Sequence, residues 1–244
     1  MDALKVTLLT LSLATLLVGC GDDAPGDAGA GTISVRAYGE SFIEEGIGAE
    51  ELGDGWAISF SRFDVTFRDV SVGGAVLADP DAVSLHEPSA GEGHELGTVS
   101  VAAGTHASPS FTIADVVVEG AAELGDVSKT FSFSFATPTR YSHCETSTVV
   151  STGETATFEL TVHADHLFYD SLVSEEPQLR FQPLADADAD EDGAITTAEL
   201  QAADLGAYDA GNEDIEDLWS FLVAQHRTLG HVDGEGHCEA SVGD

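Results

Sequence analysis

Basic residues are scarce in this chain. Lys and Arg total 8 against 44 Asp and Glu, a formal net charge of −36 over 244 residues. No stripe of cations exists to neutralise phosphates, which argues against nucleic acid as a partner. What the balance favours is cations as ligands and a self-repelling, monomeric body. A surface adapted to a salty habitat would have the same composition. Catalytic signatures are missing too: there is no HExxH, GxSxG, phosphate loop or CxxC. Adjacent pairs such as Asp165–His166 or His86–Glu87 face opposite ways on an extended strand. The expectation is a binding protein rather than an enzyme, with its protein partner unspecified.

The apolar run from Val6 to Val18, behind Lys5, is too short to span a bilayer as a permanent helix and reads as an export signal. It ends in Leu17-Val18-Gly19-Cys20, which resembles the lipobox of bacterial lipoproteins. That resemblance implies a signal peptide over 1–19 and lipidation of Cys20. It also implies a body held to a membrane of the cell envelope, facing the periplasm or the surface. An ordinary secretory signal that happens to contain a cysteine is the alternative. Residues 20–31, rich in Gly, Asp and Ala, have nothing to bury and read as a flexible tether. Cys144 and Cys238 remain, and in an exported chain they most simply form one disulfide. It would tie the tail to the middle of the chain and add ~4 kcal/mol on the chain-entropy account.

From 32 to 163 the apolar residues recur every second position, the period of half-buried strands. Ile33, Val35 and Ala37 alternate, as do Phe131, Phe133 and Phe135, and Phe158, Leu160 and Val162. In the stretch 56–72, Trp56, Ile58 and Phe60 share one face, and then Phe63, Val65 and Phe67 resume one residue out of step. A slip of one flips the face, so a bulge is expected near Ser61-Arg62. Gly- and Asp-rich breaks at regular spacing predict a mainly β fold, an antiparallel β-sandwich. Residues 164–244 change texture to a small acidic helical region. There, Ile215, Leu218, Trp219, Leu222 and Val223 mark one helix face.

Within that region, Asp188, Asp190 and Asp192 fall at alternate positions, followed by Gly193, Ala194, Ile195, Thr196 and Glu199. This run resembles the calcium loop of an EF-hand at positions 1, 3, 5, 6, 7, 8, 9 and 12. The resemblance implies Ca²⁺ held by Asp188, Asp190, Asp192, the Ala194 carbonyl, Thr196 and Glu199. Ile195 would turn into the core. Pro183 leaves only a stub of entering helix and there is no second loop, so the ion is expected to be structural. A calcium-free reading stays open, since Thr196 and Glu199 also make a capping box and aspartates suit turns.

Nine histidines are many for so few other bases. His163 and His166 lie where a strand ends, and His143 and His237 each precede a cysteine of the expected disulfide. Neutral imidazole suits copper and zinc. His143, His163, His166 and His237 are therefore candidate ligands for a transition metal. An exported sandwich with histidines at its strand ends is similar in plan to periplasmic copper-binding proteins. Calcium binding is the activity expected first; a transition-metal site at these histidines and an adhesion or scaffold module are the alternatives, as are histidines that serve only as polar loop residues.

Overall fold

The computed structural model describes residues 29–211 and 214–242. The signal peptide and Cys20 lie outside the described residues. The fold is mainly β, built from several largely antiparallel sheets with small helices toward the C-terminus.

One sheet has four strands. Ala30–Gly39 lies between Thr155–Val162, which runs parallel to it, and His94–Ala102, which runs antiparallel. Gly230–Val232 adds to the outer side of Thr155–Val162. The larger sheet centres on Ala57–Val72 and Ser110–Leu124, long strands paired antiparallel. It continues through Val127–Phe135 and Thr139–Ser142, with Glu239–Val242 pairing the latter. With Ala194–Ile195, which pairs in parallel with Val127–Phe135, three short strands that follow residue 163 join the sheets rather than standing apart from them.

The alternation along the chain accounts for the interior. Ile33, Val35 and Ala37 from the first sheet, and Phe158, Leu160 and Val162 beside them, are fully buried. Phe63, Val65, Phe67, Phe131, Phe133 and Phe135 from the larger sheet join them in one continuous core. The register of Ala57–Val72 against its neighbour shifts between Phe60 and Arg62. The slip read from the sequence at Ser61-Arg62 is therefore a β-bulge that re-aims Phe63 to the core.

The helical elements are shorter than their sequence signals. Helix Leu218–Gln225 starts at its N-cap, Asp217, whose carboxylate accepts from the Ser220 N–H at 2.9 Å. Ile215 stays outside it. The buried face is Leu218, Phe221, Leu222 and Gln225, while Trp219 and Val223 are only partly covered. The Cys144–Cys238 disulfide is formed, joining positions 94 apart.

Candidate metal centres

Three short pieces of backbone bring histidines together. Thr155–Val162 ends just before His163, and antiparallel Gly230–Val232 sets His231 opposite Thr161. Thr161 and His163 share a face by the two-residue period, so His163 and His231 are diagonal cross-strand neighbours. Their ring centroids lie 4.3 Å apart. Beyond His163 the chain enters a 3₁₀ turn, Asp165–Phe168. Residues three apart align in such a turn, and the His166 ring sits 5.1 Å from His163 and 5.2 Å from His231. His237 returns by a hairpin in which Val232 and Gly236 exchange both backbone bonds, at 3.0 and 2.8 Å. Asp233 and Gly234 form its turn, both in the left-handed region at φ 48° and 79°. The His237 ring is 5.5 Å from His231. Strand Thr155–Val162 clamps this turn: the Gly234 N–H donates to Thr161 Oγ1 at 3.0 Å, and the Asp233 N–H to the Glu159 carbonyl at 3.2 Å.

Hydrogen bonds orient the rings. Glu40 Oε2 is 3.1 Å from His163 Nδ1, and the Thr228 carbonyl is 2.8 Å from His166 Nδ1. An oxygen on Nδ1 fixes that nitrogen as the protonated one and leaves Nε2 for a ligand. His163 Nε2 faces the Gly234 carbonyl at 3.2 Å. Without metal this ring therefore suits a second proton, which an ion would replace. Asp165 accepts from the Tyr169 hydroxyl at 2.8 Å through Oδ2, while its buried Oδ1 has no partner. His231 Nδ1 is likewise buried without one. His163, Asp165 and His166 each put a ligand atom within 4.8 Å of the others. Two orphaned lone pairs beside three imidazoles are what a buried cation would satisfy.

The protonation states diverge. At His163 burial opposes the charge, but the hydrogen bond and charge of Glu40 outweigh it and raise the pKa. Burial, reinforced by His163, lowers His166. Burial and then the neighbouring histidines push His231 down to about 4. His166 and His231 are thus neutral imidazole at pH 7, the form that binds metal. His163, Asp165 and His231 are buried, His166 is half-buried and His237 exposed, so the cluster opens to solvent on one side.

His143 is not brought to this group. It is exposed, with Nδ1 2.9 Å from Glu239. His231, Asp165 and Glu40 were not among the candidate ligands expected from the sequence.

The acidic loop gathers a second, oxygen-only group of side chains. Asp188, Asp190 and Glu199 place carboxylate oxygens within 4.8 Å of one another. Asp188 Oδ2 accepts from the Gly193 N–H at 3.0 Å and ion-pairs with Lys129, whose ammonium holds the carboxyl below its usual range. Asp188 Oδ1 is buried with no partner. Asp192 is outside the converging set and accepts from the Ala194 N–H at 2.8 Å. Thr196 caps helix Thr197–Ala202 in a capping box with Glu199. Glu199 also accepts from the Ala189 N–H at 3.1 Å, across the loop. The entering helix is a five-residue stub, Gln182–Asp186, with Pro183 near its start. Ala194–Ile195 pairs in parallel with Thr130–Phe131, and Ile195 is buried.

The chain matches no protein-family model, no curated protein and no solved structure.

Proposed function

We propose that this is an exported, lipid-anchored β-sandwich protein of the bacterial envelope that binds a transition-metal ion, copper or zinc, without catalysing a reaction. His163, His166 and Asp165 are its first donors and His231 completes the set, with His237 at the open side. The observation that carries the reading is the convergence of three mostly buried imidazoles with the unpartnered Asp165 Oδ1 and His231 Nδ1. Mixed nitrogen and oxygen donors fit copper or zinc better than calcium or magnesium. Metal analysis of untagged protein, loaded with Cu(II) or Zn(II) and then desalted, tests it. Wild type should retain close to one ion per chain, and the His163→Ala/His166→Ala variant should lose it. Equal retention by both would sink the assignment.

A second reading concerns the EF-hand-like loop, which we infer holds one Ca²⁺ as a structural ion. The unpartnered, buried Asp188 Oδ1 beside Asp190 and Glu199 supports it. Lone calcium loops of extracellular modules bind at about 0.1–1 mM. Calorimetry with CaCl₂ on wild type and Asp188→Ala separates this reading from the capping-box alternative, for which the two heats would be equal.

A further inference from the structure

The histidine cluster forms one wall of a cavity of about 240 Å³ that His166, His231 and His237 share with Arg227, Tyr141 and the disulfide at Cys238. Arg227 is unusual among the bases of this chain. Arg36, Arg62, Arg68, Lys129 and Arg180 each pair with a carboxylate. With 44 acids available, Arg227 meets none within ion-pair distance among the described residues, and its Nε is buried without an acceptor. A half-buried guanidinium with an unmet donor is costly unless something supplies the acceptor. Of the other described bases only Arg140 also lacks a carboxylate partner, and its guanidinium donates to Ser110 Oγ at 3.0 Å.

We propose that this cavity binds a small anion, an inorganic anion or short carboxylate, between the Arg227 guanidinium and the ion at the histidines. This rests on the metal reading above. With four protein donors, an ion that expands to five-coordinate still takes an exogenous ligand on the open side of the cluster. The Tyr141 ring and the disulfide give the remaining wall a low dielectric, where an anion between two cationic groups is held far more strongly than in water. The volume admits a molecule of a few heavy atoms and excludes a peptide.

Azide is a suitable probe, since on Cu(II) it gives a ligand-to-metal absorption band. Copper-loaded wild type and Arg227→Gln are titrated with sodium azide, after metal analysis shows equal copper in both. The side chain of Arg227 makes no hydrogen bond among the described residues; its backbone carbonyl, which accepts from Tyr141 Oη at 3.2 Å, survives the substitution. Azide should bind at least about tenfold more weakly to Arg227→Gln, with Arg227→Lys between the two. Equal azide affinity in wild type and Arg227→Gln overturns the proposal. Should the protein take up no copper, the metal reading fails separately. The anion pocket is then tested by shifts of the Arg227 Nε–H resonance on adding nitrate. A saturable shift keeps the pocket, and none removes it.

Discussion

His226 offers a direct test of how burial controls charge in this fold. It ends helix Leu218–Gln225, is wholly buried, and stacks on Phe135 with centroids 4.9 Å apart and planes at 11°. Neither ring nitrogen has a hydrogen-bond partner. Burial, followed by the Arg227 charge, lowers its pKa from 6.5 to about 4. A histidine depressed in the folded state is neutral there while the unfolded chain takes up a proton. Its contribution is therefore intact above pH 6.5 and is lost as pH falls toward 4. At about 1.4 kcal/mol per pH unit, roughly 2.4 kcal/mol should disappear between pH 7 and pH 4.5. Urea unfolding of wild type and His226→Leu at both pH values reads this as a difference of differences, so that any packing cost of leucine cancels. Carboxylate titration, and that of His231, is common to both proteins. The leucine variant should lose about 2.4 kcal/mol less than wild type over this interval. Parallel losses would show that the ring accepts a proton in place, and the argument from burial would fail.

Removing the disulfide by Cys144→Ser/Cys238→Ser should cost about 4–5 kcal/mol on the chain-entropy account, read as a lower urea midpoint. A loss below about 1 kcal/mol would mean that the unfolded chain is already constrained there. For the acidic loop, 10 mM CaCl₂ acting on a site of about 0.5 mM affinity adds about 2 kcal/mol by mass action. For a chain of this size that is a rise in Tm of about 4–8 °C. Asp188→Ala should show no rise in differential scanning calorimetry, and a rise of equal size in the variant would place the effect elsewhere.

Much of the β core could be read directly, because a side chain's face follows from its parity along a strand. Ile33, Val35 and Ala37, and Phe158, Leu160 and Val162, are buried as their alternation requires. The bulge at Ser61-Arg62 was visible for the same reason, as a break in parity. Long-range pairing was less accessible. His231 lies in a three-residue strand, too short to show any period. Yet the Asp233-Gly234 turn that follows is a strong hairpin signal. Taken seriously, it sets His231 and His237 on facing arms. His143 misled because adjacency to a bonded cysteine fixes where the backbone is and says little about where the ring points. Its φ of 52° carries it out to Glu239. The lone acidic loop lacks a sister loop in the sequence, and only coordinates could show that a strand of the large sheet, at Thr130–Phe131, pairs with it instead.

Glu40, His163 and His231 come from remote parts of the chain, and only the pairing of Thr155–Val162 with both its neighbours gathers them. An unfolded polypeptide keeps only His163, Asp165 and His166 as neighbours and lacks His231 and the Glu40 that orients His163. Should the histidines hold an ion, the part of the binding free energy that depends on those two would go to the native state.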